Sequence, residues 1–208
     1  PGSGKTQSLL QLVSSLEDSG FQAAEILVLT PSRLSANSLR DKIASPSKLA
    51  AERPRARSIS SFAFELASGS HPDLKLFSGA SQQALIAELV AKAIEENRHK
   101  IWGLDKTTVQ LQGFQTEVRD LIAVVIENQL EPQQMQAIQQ QFPGTKIQVA
   151  IDLLPQYLNV LKSNNAMDPS ELLIAACEQI ESYEPPKFLV VDDAQDLSPA
   201  AMRLVELL

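Results

Sequence analysis

The sequence predicts an α/β protein with a parallel β-sheet, interrupted by an all-helical block of roughly 100 residues. Short, β-branched and almost uncharged runs lie at residues 26–30 (ILVLT) and 188–192 (FLVVD). Runs of this kind suit strands that are buried on both faces of a parallel sheet. Between residues 70 and 186 the strand signals disappear and helical patterns replace them.

The elements before the helical block alternate between helix and strand. Residues 4–16 carry apolar side chains at helical spacing, and Gly20 is a suitable stop for that helix. The strand at 26–30 is followed by a helix over about 35–44 and by a more polar strand at 57–60, which suits a sheet edge. This alternation is typical of a parallel sheet with helices packed on it.

The helical block contains clear helix starts. Ser81 precedes an apolar-periodic helix, and a longer helix is predicted over about 108–129. Glu131 and the proline after it open a glutamine-rich helix, with proline in the first turn. Residues 168–171 (DPSE) combine a capping aspartate, an early proline and a glutamate three residues on, which indicates a helix start.

These patterns divide the chain into three segments. Residues 1–69 and 187–208 are predicted to form one α/β domain, and residues 70–186 form the helical insert. The chain opens with Pro1 in the middle of a motif rather than with methionine. We therefore expect it to be a fragment of a longer protein.

Composition excludes several classes of protein. Hydrophobic residues make up 44% and charged residues 21% of the 208 residues, which is typical of a globular domain. No apolar run approaches the roughly 18 residues needed to span a bilayer, and the first residues given show no basic-then-apolar pattern of a signal peptide. The single cysteine, Cys177, excludes an internal disulfide and fits a reducing compartment. We expect a cytoplasmic protein that has no membrane partner.

Charge is unevenly distributed along the chain. The net charge is −7, yet residues 33–57 carry seven basic and two acidic side chains. Residues 70–186 carry eight basic and fifteen acidic side chains. Such asymmetry is more informative about partners than the total, and it predicts that one part of the molecule is suited to phosphates.

The first motif is PGSGKT at residues 1–6, followed by an amphipathic helix. It retains all but the first two positions of the phosphate-binding loop G-x-x-x-x-G-K-[ST], also called Walker A. Glycines there let backbone N–H groups approach phosphates, and the helix start is favourable for an anion. In this motif Lys5 reaches the β- and γ-phosphates and the Thr6 hydroxyl binds Mg²⁺.

The second motif is the apolar strand that ends in Asp192 and Asp193. In nucleotide hydrolases the first carboxylate of such a pair holds the Mg²⁺ shell, and the second positions or deprotonates the attacking water. Acidic residues after a strand are common, so this motif is weak alone. Combined with the loop around Lys5 it is strong, because parallel strands end at the same crevice.

The chain resembles the UvrD/PcrA/Rep group of superfamily 1 DNA helicases. Residues 192–199 (DDAQDLSP) resemble helicase motif II, and the Gln195-Asp196 pair distinguishes this group from most other P-loop families. Residues 26–43 (ILVLTPSRLSANSLRDKI) are similar to motif Ia, and residues 57–63 (RSISSFA) to motif Ib. The helical block occupies the position of the family's helical 1B subdomain.

The resemblance implies a RecA-like P-loop fold, ATP and Mg²⁺ as cofactors, and single-stranded or duplex DNA as partner. It implies these nucleotide-binding residues: Gly2, Ser3, Gly4, Lys5, Thr6, Gln7 and Gln195. Lys5 and Asp193 would be catalytic, and Thr6 and Asp192 would bind the metal. The implied DNA-binding residues are Thr30, Arg33, Ser58, Ser60 and Ser61. A second RecA-like domain is needed for strand movement, so residues 1–208 alone are expected to bind nucleotide weakly and hydrolyse it hardly at all.

The chain departs from the family pattern at several positions. Asp193 stands where relatives have glutamate, which shortens the reach of the carboxylate by about one methylene. Gln7 replaces an arginine near the adenine, Pro31 replaces an aromatic that stacks on a DNA base, and Ser60 replaces a histidine. Base stacking contributes roughly 1–3 kcal/mol per base, so this half is expected to hold DNA less tightly.

Three functions are therefore weighed. The leading hypothesis is the ATP-binding half of a DNA-dependent ATPase that translocates on single-stranded DNA and unwinds duplex in repair or recombination. The alternative is a degenerate motor that clamps DNA in a complex with a helicase or nuclease subunit. A small-molecule P-loop kinase is the third, and the Gln195-Asp196 pair argues against it.

Overall fold

The structure is a computed structural model that describes residues 4–43, 55–70 and 73–208, with Arg55 and Ser70 described by their backbone only. Gly2 and Ser3 of the proposed loop lie outside the described residues, as do Lys48 and Arg53 of the basic run. The chain divides into two compact units, one formed by residues 1–70 with 175–208 and the other by residues 71–174.

The helices and strands follow each other in the order expected of an α/β chain with a helical insertion. The strands are β1 (Ile26–Thr30), β2 (Arg55–Ser58), β3 (Lys75–Leu76), β4 (Ala166–Met167) and β5 (Phe188–Val191). The helices are α1 (Lys5–Asp18), α2 (Arg33–Ile43), α3 (Ile59–Ser70), α4 (Gly79–Glu95), α5 (Arg98–Ile101), α6 (Lys106–Gln110), α7 (Gln112–Glu127), α8 (Pro132–Gln141), α9 (Lys146–Ser163), α10 (Pro169–Gln179) and α11 (Pro199–Glu206).

The first unit contains a parallel sheet with the strand order β2-β1-β5. The register pairs Thr30 with Ser58 on one side and Leu29 with Val191 on the other. The predicted parallel α/β architecture is confirmed. The predicted edge strand at 57–60 is shifted, because β2 ends at Ser58 and the two residues after it begin α3.

Burial differs between the two apolar strands. All five residues of β1 are buried, as predicted, because β1 has a neighbour on each side. All four residues of β5 are only half-buried, so the prediction of burial on both faces is wrong for this strand. In the part of the chain that the structure describes, β5 pairs with β1 alone.

One core cluster of the first unit lies between helices α1 and α2 and the sheet. Its buried members are Leu9, Val13, Ile26, Val28, Leu39 and Ala56. Leu9 and Val13 lie four residues apart on α1, so they point to the same side of the helix. Phe21 and Phe188 add an edge-to-face ring contact with centroids 4.6 Å apart.

The second unit is mostly helical and has its own core. It is built from α4, α6, α7 and α9, with Phe114, Trp102 and Tyr157 buried among aliphatic side chains. The Trp102 indole Nε1 donates to Asp152 Oδ2 at 2.9 Å, which satisfies the polar atom of the ring. The long helix predicted over 108–129 is divided at Leu111, whose extended backbone (φ −63°, ψ 130°) separates α6 from α7.

The prediction of an all-helical block is wrong at one place. Strands β3 and β4 form a parallel pair, with Lys75 N–H donating to Asn165 O at 3.1 Å and Phe77 N–H to Met167 O at 2.8 Å. Each strand has two residues, which is too short to produce an alternating pattern. The second unit is therefore helical apart from this pair, within the residues described.

The second compact unit begins at His71 and ends at Ile174. The predicted insert ended at residue 186, whereas the observed compact unit ends at Ile174, so that residues 175–186 group with the sheet. The change of unit falls inside α10. Within the described ranges, no helix combines the length and the apolar character that crossing a bilayer requires.

Candidate functional site

The start of α1 presents free backbone donors. Gly4 precedes the helix in a left-handed conformation (φ 72°, ψ 0°), which glycine adopts without strain. Lys5 and Thr6 are the first two helical residues, and no side chain among the described residues caps this end. The first-turn N–H groups of a 14-residue helix are thus available to an anion and reinforced by the helix dipole.

The direction of α1 places this helix start relative to the sheet. Leu9 and Val13 share a core with β1, and residues 19–25 connect the end of α1 to the beginning of β1. A connection this short suits a helix that runs antiparallel to β1. In that arrangement the first residues of α1, Lys5 and Thr6, lie toward the carboxyl end of the strands, where ligands bind in open parallel sheets.

Asp192 and Asp193 follow β5 at the same carboxyl end. The Asp192 N–H donates to Leu29 O at 2.9 Å, which extends the pairing of β5 with β1 by one residue. Asp193 is half-buried and has a left-handed backbone (φ 47°, ψ 45°). A 3-10 turn at Ala194–Asp196 follows, closed by the Asp196 N–H donating to Asp193 O at 2.9 Å.

The side chain of Gln195 is hydrogen-bonded to the side chain of Asp193. Its Nε2 donates to Asp193 Oδ1 at 3.1 Å. Sequence reasoning identified both residues but missed this contact and the left-handed backbone at Asp193. A signal for the backbone was present, because aspartate is among the non-glycine residues enriched in the left-handed region.

The donor set at this edge fits a magnesium–nucleotide complex. Thr6 and Asp192 supply a hydroxyl and a carboxylate, the oxygen ligands that Mg²⁺ prefers. Among the residues that the structure describes, no group of three or more His, Cys, Asp or Glu side chains could hold a metal by itself. Mg²⁺ is usually held by one or two carboxylates together with substrate phosphates, so a sparse protein set is what such a site needs.

Two of the predicted DNA-binding hydroxyls are buried. Thr30 is 0% and Ser58 3% exposed, and the register places them side by side at the ends of β1 and β2. Thr30 Oγ1 donates to Ser32 O at 2.8 Å. Ser58 Oγ accepts from Ser61 N–H at 3.2 Å and so caps the first turn of α3. The Thr30 hydroxyl therefore holds the turn after β1, and the Ser58 hydroxyl holds the first turn of α3.

The other predicted DNA-binding residues are more accessible. Arg33 is exposed at the start of α2, and Ser60 and Ser61 are half-buried in the first turn of α3. Two helix N-termini thus follow adjacent parallel strands, and each is a favourable place for a phosphate.

Arg57 of the basic run is already engaged within the first unit. Its guanidinium forms an ion pair with Glu65 and donates to Ser61 O at 3.1 Å. The same group lies 5.8 Å from the centre of the Phe62 ring. Arg57 therefore supports the start of α3. Arg40 and Lys42 are exposed on α2, and Arg40 also donates to Ala56 O at 3.2 Å.

The arrangement defines a class of α/β protein. Two carboxylates follow a strand at the carboxyl edge of one parallel sheet, where such proteins bind their ligands, and a helix whose start has no side-chain cap among the described residues packs on that sheet. The model of the UvrD/REP helicase N-terminal domain matches residues 1–208, and the chain belongs to this family. Membership implies a RecA-like fold and the ATP-dependent activity of a DNA helicase. No curated protein matches the chain.

Proposed function

We propose that this chain is the ATP-binding half of a helicase that translocates on single-stranded DNA and unwinds duplex in repair or recombination. One observation supports the proposal above all others. The Asp192-Asp193 turn follows β5 at the carboxyl end of a parallel sheet, and α1, whose start no side chain among the described residues caps, packs against that sheet. We place the start of α1 at the same edge, as in open α/β folds. That edge offers backbone donors to phosphates and carboxylates to a metal and a water molecule.

Each residue has a defined role in this proposal. Gly2, Ser3 and Gly4 bring backbone N–H groups to the phosphates, and Lys5 neutralises charge on the β- and γ-phosphates. Thr6 and Asp192 would hold Mg²⁺, which when bound neutralises charge that develops on the phosphates. Gln7 lies beside the nucleotide. The carboxylate of Asp193 orients the attacking water and accepts its proton.

The DNA would lie across the edge formed by β1 and β2. Backbone phosphates would contact the starts of α2 and α3, at Arg33, Ser60 and Ser61. The buried Thr30 and Ser58 hold these two helix starts in place. Contacts to phosphates position a strand without reading its sequence. The proposal therefore includes no base preference for this half of the enzyme.

Strand movement needs a partner domain. A second RecA-like domain would close on the nucleotide and supply arginines to the transition state. We assign the helical unit to the family's 1B subdomain, and residues 1–69 with 187–208 to the RecA-like domain. The proposed location is the cytoplasm, and residues 1–208 alone are expected to hydrolyse ATP hardly at all.

The proposal is tested by the loss of Lys5 in the full-length protein. Lys5→Ala is expected to lower DNA-stimulated ATP hydrolysis by at least about 100-fold, because the charge that stabilises the transferred phosphate is removed. Steady-state phosphate release with single-stranded DNA is the measurement. Lys92→Ala, on the exposed side of α4, is the matched control and is expected to keep full activity. Unchanged hydrolysis in Lys5→Ala would contradict the proposal.

The alternative is a weak motor that clamps DNA beside a helicase or nuclease subunit. Asp193 in place of glutamate favours it, since the shorter side chain changes the position of the base. The two functions differ in turnover. A wild-type protein that binds ATP and DNA but releases no phosphate would support the clamp.

A further inference from the structure

The turn around Asp193 has a backbone that favours a short acidic side chain. Asp193 is one of few non-glycine residues with positive φ in the described part of the chain (φ 47°, ψ 45°). Asparagine and aspartate visit this region more readily than longer residues, because their short polar side chains can hydrogen-bond locally. The turn is closed behind it by the Asp196 N–H, which donates to Asp193 O at 2.9 Å.

The side chain of Gln195 reaches back to the Asp193 carboxylate. Gln195 Nε2 donates to Asp193 Oδ1 at 3.1 Å across two residues of chain. This distance is within the normal range for an N–H···O bond. A glutamate at position 193 would carry its carboxylate one methylene further out, beyond the point where this amide now donates.

We propose that Gln195 is a positioning residue that fixes the Asp193 carboxylate for water activation. The proposal rests on the ATPase function given above. With Oδ1 held by the Gln195 amide, Oδ2 accepts a proton from the attacking water. The water oxygen forms the new bond to the γ-phosphorus as the bond to the bridging oxygen breaks, and ADP leaves with that electron pair.

A consequence is that aspartate is the suitable base for this turn. Position 193 combines a left-handed backbone with a donor placed for a short side chain. Asp193→Glu is therefore expected to lower turnover, by the added backbone strain and by loss of the Gln195 contact. If Asp193 were only an impaired replacement for glutamate, Asp193→Glu would raise turnover instead.

A double-mutant cycle in the full-length protein tests the coupling. Gln195→Ala is expected to lower kcat about tenfold with KM for ATP unchanged. In this proposal the Gln195 amide contacts the Asp193 carboxylate instead of the nucleotide, so its loss removes the orientation of the base while the Lys5 loop still binds ATP. Gln195→Glu is expected to lower kcat at least as much, since an ionised carboxylate cannot donate to Asp193. In an Asp193→Glu background, Gln195→Ala is expected to have almost no further effect.

Controls separate this proposal from the proposed function. Gln140→Ala, at an exposed position of α8, is expected to behave as wild type. If wild type shows no DNA-stimulated hydrolysis, the ATPase function itself is wrong. If wild type is active, the positioning role is overturned by any of three results: Gln195→Ala with wild-type kcat, an undiminished Gln195→Ala effect beside Asp193→Glu, or a kcat that rises in Asp193→Glu.

Discussion

At the residue scale, several side chains near the sheet edge have roles that their residue types do not reveal. Thr30 and Ser58 were candidates for DNA contact, yet both are buried. Thr30 is hydrogen-bonded to the backbone of the turn after β1, and Ser58 to the backbone of the first turn of α3. Hydroxyl groups suit both roles equally well, so sequence alone does not distinguish them. Arg57 likewise belongs to a basic run but is paired with Glu65.

Glu171 in the second unit gives a prediction at this scale. Burial and the nearby Asp168 carboxylate raise its pKa to about 7 from 4.5. The folded state therefore binds a proton more tightly than the unfolded chain between these values. The contribution of Glu171 to the free energy of unfolding is greatest at the low end of this range. It falls as pH rises to 7 and stays lower above 7. The side chain is partly exposed, so the loss is on the order of 1 kcal/mol.

Glu171→Gln is the variant that tests this dependence. It is expected to remove that component of the pH dependence and to stabilise the protein at pH near 8, as measured by urea denaturation at several pH values. Glu88→Gln, at an exposed position of α4, is the matched control. The interpretation is wrong if Glu171→Gln and the control show the same slope of stability against pH.

At the scale of the element, the residue that caps α10 also forms buried hydrogen bonds to two other helices. Asp168 is fully buried, and its Oδ1 accepts from the N–H groups of Ser170 (2.8 Å) and Glu171 (2.9 Å). Its Oδ2 accepts from the Tyr157 hydroxyl at 3.0 Å and from Gln82 Nε2 at 3.5 Å. One carboxylate thus connects α10 with α9 and α4.

Loss of this cap is expected to be unusually costly. Asp168→Ala removes the acceptor of several buried donors and is expected to destabilise the protein by about 2–4 kcal/mol in urea denaturation. Asp105→Ala is the matched control, because Asp105 is itself exposed where it caps the short α6 through Thr108, and its loss is expected to cost about 1 kcal/mol or less. Equal losses in the two variants would contradict a structural role for the buried network.

The helix start of α10 could be predicted from the sequence, because its cap, proline and glutamate lie within four consecutive residues. The start of α8 at Glu131 was predicted from the proline in its first turn, and the structure shows a capping box there. By contrast, the pairing of β3 with β4 joins residues about 90 positions apart. Two-residue strands are too short to show a pattern that predicts such a contact. The break at Leu111 could not be predicted either, because the helical pattern of apolar residues continues through it.

At the scale of the whole molecule, the sequence was sufficient for the architecture and for the family. Runs of β-branched residues predicted a parallel sheet, and the order of the motifs predicted the UvrD/REP helicase N-terminal domain that the family match confirms. Two features were out of reach. The half-burial of β5 depends on which strands lie beside it, and the limits of the two units depend on packing across the chain.

The candidate site was predicted in its residues but not in its geometry. The motifs around Lys5 and Asp192 are local in sequence, so they could be recognised. The left-handed turn at Asp193 and the Gln195 contact arise from the backbone path after β5, which a motif does not specify. These are also the features from which the roles of Asp193 and Gln195 are argued.

The central claim is that the Lys5 loop and the Asp192 turn bind one metal–nucleotide complex. A crystal structure of the full-length protein with a non-hydrolysable ATP analogue and Mn²⁺ tests it directly, since anomalous scattering locates the ion. The ion is expected about 2.2 Å from Thr6 Oγ1, with the Asp192 carboxylate bound to it directly or through one coordinated water. An ion and triphosphate bound away from either of these two residues would contradict the account.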